Sequence, residues 1–438
     1  MKKTVAFHTL GCKLNFAESS DLSRKFVENG YEVVDFKSVA DVYVINTCTV
    51  TALAEKKCRT AIRQAIRKNP NAKIAAVGCF SQVSPDEITK IEGVDFVLGN
   101  ADKHKLLEYL GTDYKSVPAG GMGVSISLND RSLNGVEGID TDFVVAYSSD
   151  DRTRTFLKIQ DGCDYFCTYC AIPHARGRNR NDSIENIVKI TEKIAQSETK
   201  EIVLAGVNIG EFGNSTSETF FELIQTLDNV KGIERFRISS LEPNLISNEI
   251  VDFVAISKTF LPHFHIPLQS GSNKILQLMK RRYSRELFAE RLQKIKTAMP
   301  HAFVAVDVIV GFPGETDEDF EDAYQFIESL PLAFLHVFPY SERPNTPAIN
   351  FPGKVPPQVK KQRSERLHKL SEKKHTEFCK NHLQNPSKVL WETDNHDGFM
   401  YGFTENYIRV RKPFDANSVN KIEKIFVPLQ QKLKMTCP

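Results

Sequence analysis

Residues Asp161–Arg178, DGCDYFCTYCAIPHARGR, hold Cys163, Cys167 and Cys170 in a CxxxCxxC triplet, followed at once by Ala-Ile-Pro and a basic cluster. Three thiols this close cannot all pair as disulfides, because the count is odd and the loops are too short. The spacing suits convergence on one metal ion or cluster. Three cysteines hold three corners of a cubane [4Fe–4S] cluster and leave one iron open for another ligand. His174, four residues after Cys170, also keeps a Cys₃His structural zinc chemically open.

The chain has 438 residues, enough for about three domains of ordinary size, and 41% hydrophobic residues suit a globular protein with sizeable cores. No apolar run approaches the ~20 residues that span a bilayer, and MKKTVAFHTLGCKLN lacks the apolar stretch of a signal peptide. Nine cysteines in a long chain read as unexported point to a reducing compartment where thiolates serve as metal ligands, hence a cytoplasmic location. Net charge is only +2, but Lys56–Lys73 carries seven basic residues and no acidic one. Lys274–Lys296 and Lys354–Lys374 each carry eight basic against two acidic. Each alone fits a solvated helix face; together they suggest a polyanionic partner.

From residue 1 to about 110, short apolar runs alternate with helical patterns. Strands are predicted at Thr4–Thr9, Tyr31–Phe36, Asp41–Asn46, Lys73–Gly78 and Val94–Leu98, and helices at Phe16–Glu28 and Ala52–Lys68. This is a parallel α/β sheet. Cys12 (TLGCKLN), Cys48 (VINTCTV) and Cys79 (AAVGCF) each lie just past the carboxyl end of a predicted strand, where open α/β sheets bind ligands. One such cysteine would ordinarily be structural; three on equivalent loops suit a second three-cysteine cluster. Cys58 falls on an apolar helical stripe and reads as core, and Cys379 and Cys437 have no partners at ligand spacing. Gly111–Arg154, rich in Gly, Ser and Asp, contains the domain boundary.

The pattern restarts at Thr155. Strands are predicted at Thr155–Gln160, Glu201–Ala205, Arg235–Ser239, His263–Ile266, Phe303–Val310 and Leu335–Phe338, with helices between them. Six βα units make a partial parallel barrel with its active site at the C-terminal strand ends. Asn208, Glu242 and Gln269 sit at such ends as candidate hydrogen-bonding groups for a cofactor or a base, although a helix cap or loop role is equally consistent. A basic helix follows over Lys354–Lys374, and short strands after about Pro386 form a small all-β barrel. There Tyr401, Phe403, Tyr407, Arg409 and Arg411 mix aromatic and guanidinium groups of the kind that stack and pair with single-stranded RNA.

The CxxxCxxC triplet is the signature of radical S-adenosylmethionine (SAM) enzymes, and the whole chain resembles the radical-SAM methylthiotransferases. TLGCKLN, NTCTVT and GCF match their first cluster motif, and CDYFCTYC matches the second. IPLQSGS, IVGFPGET, HVFPYS and YGFTENYIRV match further motifs of the same family. The resemblance implies an N-terminal cluster domain over 1–125, a linker over 126–150, a radical-SAM (βα)₆ barrel with its basic helix over 151–375, and a TRAM-like RNA-binding domain over 376–438. It implies two [4Fe–4S] clusters, an auxiliary one on Cys12, Cys48 and Cys79 and a SAM-binding one on Cys163, Cys167 and Cys170.

SAM would supply both the methyl group and the 5′-deoxyadenosyl radical. No side chain beyond the cluster ligands is then required as a catalyst, because replacing an adenine C2–H by C–S lies beyond any acid or base. Asn208, Glu242, Gln269 and Arg176 are candidates for SAM, with Arg178 and Arg180 as further phosphate or carboxylate contacts. Arg59, Arg63, Arg281, Arg282, Tyr407 and Arg409 are candidates for RNA. TLGCKLN and NTCTVT resemble the branch acting on N6-threonylcarbamoyladenosine beside the anticodon of tRNAs reading A-starting codons. The partners implied are a tRNA anticodon stem-loop and an electron donor such as flavodoxin or ferredoxin, with a monomeric enzyme and no membrane. The alternatives are an isopentenyladenosine or ribosomal-protein methylthiotransferase, or a non-catalytic zinc protein that binds RNA.

Overall fold

The computed structural model describes residues 2–111, 125–127, 143–148, 153–382 and 386–426. The chain divides into two compact units. The first comprises Met1–Ser149, Phe156–Asn181 and Ser341–Ile349; the second comprises Asp150–Thr155, Asp182–Tyr340 and Asn350–Pro438. Most of the predicted linker, and the chain from 427 onward with Cys437, lie outside the described residues.

The first unit is built on a parallel sheet of β1 (Thr4–Thr9), β2 (Glu32–Val34), β3 (Val42–Thr47), β4 (Lys73–Gly78), β5 (Phe96–Leu98) and β6 (Ser125–Ser127). The order is β2-β1-β3-β4-β5-β6. Every residue of β3 is buried, as expected of a central parallel strand covered on both faces. Helices α1 (Lys13–Glu28), α2 (Ala52–Lys68), α3 (Cys79–Val83), α4 (Pro85–Thr89) and α5 (Leu106–Gly111) connect them.

α2 begins where Thr51 accepts a hydrogen bond from the Ala54 N–H, and it ends with Arg67 and Lys68 against its dipole. α1 starts three residues before its predicted position. Its N-cap is Cys12, which makes no side-chain cap, so the sequence carries no start signal there. Cys58 is fully buried in the apolar cluster with Tyr43, Ile62 and Phe80. The same unit adds β7 (Ala146–Tyr147), antiparallel to β8 (Arg154–Lys158), which joins it from Phe156, then β9 (Gln160–Asp161), α6 (Ile172–Arg176) and β10 (Arg180–Asn181).

The second unit repeats strand and helix: α7 (Ile184–Ala195), β11 (Glu201–Ala205), α8 (Phe220–Leu227), β12 (Arg235–Ile238), α9 (Asn248–Ile256), β13 (His263–Gln269), α10 (Asn273–Leu278), α11 (Arg285–Ala298), β14 (Phe303–Val310), α12 (Asp317–Ser329) and β15 (Phe334–Pro339). β11 pairs parallel with β12, and β13, β14 and β15 pair parallel in sequence. The bridges Phe236↔Phe260 and Ser240↔His265 join β12 to β13. This is the parallel half-barrel expected from the βα alternation. α9 fills the helix position expected between the third and fourth of the predicted barrel strands.

α13 (Pro357–His382) packs along β15, and β16 (Ser387–Trp391), β17 (Phe399–Thr404), β18 (Arg409–Pro413) and β19 (Ile422–Ile425) form an antiparallel sheet in the order β18-β17-β16-β19. That sheet seats on the N-terminal ends of the barrel strands. Arg235 donates to the Phe403 and Lys388 carbonyls, and Arg237 to those of Thr404 and Glu405. Glu201 neutralises Arg237 at 2.7 Å. Among the described residues no helix is long and apolar enough to cross a membrane.

Candidate functional site

The strand order reverses between β1 and β3, because β1 leads on one side to β2 while β3 leads on the other to β4. That switch point leaves a crevice at the carboxyl ends of the strands. Cys12 follows β1, Cys48 follows β3, and Cys79 opens α3 directly after β4. Gly11, at φ +101°, allows the close approach: a Cβ there would lie 2.9 Å from the Cys48 sulfur.

Polar residues of the same motifs clamp the loops. Asn15 Nδ2 donates to the Leu10 carbonyl at 2.6 Å and the Thr47 carbonyl at 3.0 Å, and Asn46 Nδ2 donates to the Asn15 carbonyl at 3.0 Å. Thr47 Oγ1 donates to the Val77 carbonyl and accepts from the Phe80 and Ser81 N–H groups, which fixes the end of β3 to the start of α3. The Cys48 loop is also held by Glu55, which accepts from Thr49 Oγ1 and Arg343 at 2.6 Å each. Burial, with the neighbouring Cys79 charge, pushes the Cys48 thiol up to about 12. Without a cation in place the Cys48 thiol holds its proton; a metal centre would replace it.

Cys163, Cys167 and Cys170 lie in the same unit on the loop between β9 and α6. The Cys163 N–H donates to the Gly177 carbonyl at 3.1 Å, and the Tyr165 N–H donates to the Cys163 sulfur at 3.5 Å. Gly162, at φ +69°, makes that closure possible, since a Cβ there would meet the Arg178 carbonyl oxygen at 1.8 Å. Gly162→Ala must therefore displace backbone. It is expected to lose most of the iron that this loop would hold while leaving the Cys12 trio intact, which iron analysis and Mössbauer spectroscopy would show. Unchanged iron would mean that the turn is not needed.

Between the two trios runs a buried ion network that sequence reading missed. Arg176, only 1% exposed, donates to Asn15 Oδ1 (2.6 Å), both Glu18 carboxylate oxygens (3.1 Å) and Asp161 Oδ1 (2.9 Å). Lys158 bridges Glu18 and Asp161 at 2.9 Å each, Arg180 reaches Asp161 at 3.1 Å, and Lys103 pairs with Glu18. Burial pushes the Glu18 and Asp161 carboxyls up, but the surrounding cations outweigh it and hold both well below the usual range.

Asn100 completes the link, with Nδ2 reaching the Cys79 sulfur at 3.4 Å and the Ala175 carbonyl at 2.7 Å. Four cations (Arg176, Lys158, Arg180, Lys103) face two carboxylates (Glu18, Asp161) beside six thiols. None of those thiols is in a disulfide. A donor set of three thiols per site beside surplus positive charge fits two anionic iron–sulfur clusters.

The other candidates separate. Asn208, Glu242 and Gln269 stand at or just beyond the ends of β11, β12 and β13, all largely buried, as placed from sequence. Glu242 pairs with Arg281, whose side chain is 3% exposed, so this arginine faces a carboxylate and not solvent. Arg176 is likewise committed to protein partners. Arg282 is exposed. Arg63 is exposed on α2, and Arg59 on the same helix pairs with Glu87 at 2.9 Å.

Tyr407 lies against Phe403, His263 and Phe303 and beneath Arg237, at the base of the barrel. Its contacts are those of a packing residue. Arg409 stacks on Tyr401 (4.2 Å) and Arg411 on Phe399 (4.7 Å), leaving a half-exposed aromatic–guanidinium ladder on the antiparallel sheet. The motif flanks TLGCKLN and NTCTVT already contain Asn15, Asn46 and Thr47. Nothing in the sequence marks Glu18, Asn100, Lys103 or Arg343.

Residues 4–99 match the family described as uncharacterized protein family UPF0004, and residues 157–327 match the radical SAM superfamily. The threonylcarbamoyladenosine tRNA methylthiotransferase MtaB of Bacillus subtilis (strain 168) is 43% identical over 96% of this chain and 93% of its own. The protein of the same name from Aquifex aeolicus (strain VF5) is 39% identical over 97% of this chain and 100% of its own. Among solved structures, the radical S-adenosylmethionine methyltransferase TsrM from Kitasatospora setae superposes with a TM-score of 0.59 at 15% identity. That match covers 80% of this chain and 77% of TsrM, and it supports the fold alone. The chain therefore belongs to the radical-SAM methylthiotransferase family. Within that family its place is the MtaB branch.

Proposed function

We propose that the protein methylthiolates C2 of N6-threonylcarbamoyladenosine beside the anticodon of tRNAs reading A-starting codons. The observation that carries this reading is the convergence of two three-cysteine loops within one compact unit, tied by Arg176 and Asn100. Cys12, Cys48 and Cys79 hold the auxiliary [4Fe–4S] cluster, and Cys163, Cys167 and Cys170 hold the one that binds SAM. When bound, the clusters and SAM supply the sulfur, the methyl group and the radical that no side chain can.

The protein's own residues position and shield. Asn15, Thr47 and Glu55 fix the first trio, Gly162 shapes the second, and Asn208, Glu242 and Gln269 line the strand ends where SAM and the adenine meet. The adenine must leave its stack to enter. Residues 1–125 form the cluster domain, 126–150 the linker, 151–375 the barrel with its basic helix, and 376–438 a TRAM-like module. Arg63, Arg282 and the Tyr401–Arg409 and Phe399–Arg411 pairs take the anticodon stem-loop, through contacts that weaken with salt. The enzyme works as a cytoplasmic monomer reduced by a flavodoxin or ferredoxin.

Mass spectrometry of tRNA nucleosides from cells with and without the gene tests the reading. The 2-methylthio form of threonylcarbamoyladenosine should vanish in the deletion while its precursor accumulates. Loss of methylthio-isopentenyladenosine instead would reassign the substrate, and unaltered tRNA would leave a protein side chain as the target.

A further inference from the structure

Inside the barrel, three adjacent strands each interrupt an apolar run with a metal-ligating side chain: His265 in HFHIPLQ, Asp307 in FVAVDVIV and His336 in FLHVFP. Asp307 stands opposite His336 in the β14–β15 register and opposite Pro267, two residues after His265, in the β13–β14 register. One nitrogen or oxygen from each residue lies within 4.8 Å of the others. His265 Nε2 is 2.8 Å from Asp307 Oδ1, and the two imidazole rings are 5.0 Å apart.

The layer beneath explains why this trio is enclosed from below. His263, Phe303 and Phe334, each on the same strand face, pack with Tyr407 or His375 and close the base of the barrel. The interior of a parallel barrel is ordinarily filled by layers of Val, Ile and Leu. Here the next layer up is two imidazoles and a carboxylate, with His265 and Asp307 about one-fifth exposed and His336 half-buried. Above it stands Glu242, close enough for the Asp307 charge to act on it and itself paired with Arg281. The Asp307 carboxylate beside two imidazoles is a donor set that suits a cation.

We propose that His265, Asp307 and His336 form a binding site for one divalent first-row metal ion, distinct from the two cysteine trios. Two imidazoles and one carboxylate on a single face are the donor set of mononuclear iron, zinc and manganese sites with open positions. Three protein ligands leave those positions to water or to an oxygen of a molecule in the barrel. The site is independent of which nucleoside the enzyme modifies.

Manganese is the discriminating probe, because it binds thiolates poorly and so avoids the cysteines. The holoenzyme, with its clusters oxidised and EPR-silent, would be titrated with MnCl₂ while the free Mn²⁺ signal is followed by EPR, then challenged with ZnCl₂. The expected result is one site per chain that zinc displaces. His336→Ala and Asp307→Asn should weaken it by more than the ~10–100-fold that loss of an outer-shell partner alone costs. Both variants should keep their cluster iron and circular dichroism spectrum. If His336→Ala does not fold, Asp307→Asn, which nearly preserves side-chain volume, decides. Equal Mn²⁺ binding by wild type and a folded variant, or no stoichiometric binding by wild type, overturns the proposal and leaves the trio a hydrogen-bonded group.

Discussion

Arg176→Ala is expected to destabilise the first unit by about 3–5 kcal/mol, the range seen when one partner of a buried ion pair is removed. The guanidinium is 1% exposed and is shared by Asn15, Glu18 and Asp161. Its removal leaves two buried carboxylates with Lys103, Lys158 and Arg180, none of which bonds all three partners. Arg176→Lys should recover little of the loss, because a single ammonium lacks the planar fork that reaches Asn15 and Asp161 together. Thermal unfolding of the holoenzyme followed by circular dichroism reads the effect, and iron should fall at both trios because Asn15 and Asp161 flank them. A change within about 0.5 kcal/mol, the range of ordinary surface substitutions, would show that the network does not hold the unit together.

Cys167→Ala and Cys48→Ala should divide the chemistry between the two trios. Each variant is expected to bind about half the wild-type iron if each trio holds one cluster, as proposed above. Formation of 5′-deoxyadenosine from SAM should stop in Cys167→Ala and persist in Cys48→Ala, while methylthiolation stops in both. Full iron in either variant would remove that cysteine from its cluster, and SAM cleavage lost equally in both would undo the division of roles.

The fold was legible because its strands are apolar runs bounded by turn residues. β1, β4, β11 and β14 fall at their predicted limits. A shift came where a local signal was missing: α1 begins at Lys13 and not at Phe16, behind a cysteine that makes no side-chain cap. The six cysteines were legible for a different reason. Ligand spacing marks Cys163, Cys167 and Cys170 directly, and strand-end placement marks Cys12, Cys48 and Cys79, because parallel sheets bring equivalent loops together.

The arginines were the least legible. Arg59, Arg63, Arg176, Arg281 and Arg282 are alike in sequence, yet Arg176 and Arg281 are buried ion-pair partners while Arg63 and Arg282 reach solvent. An arginine's role depends on whether a carboxylate arrives from elsewhere in the chain, and Glu18 arrives from 158 residues away. Tyr407 was misplaced for the same reason: its aromatic neighbours His263 and Phe303 come from β13 and β14, and they draw it to the barrel base.

By itself the sequence determined the strand–helix alternation, the two cysteine trios and the chemical class they imply, because apolar period and ligand spacing are local properties of the chain. Only the tertiary structure decided which charges are buried together around Arg176, which aromatics fill the barrel base, and that His265, Asp307 and His336 meet on three neighbouring strands. Those are contacts between distant residues, set by sheet register and packing, and no local pattern encodes them.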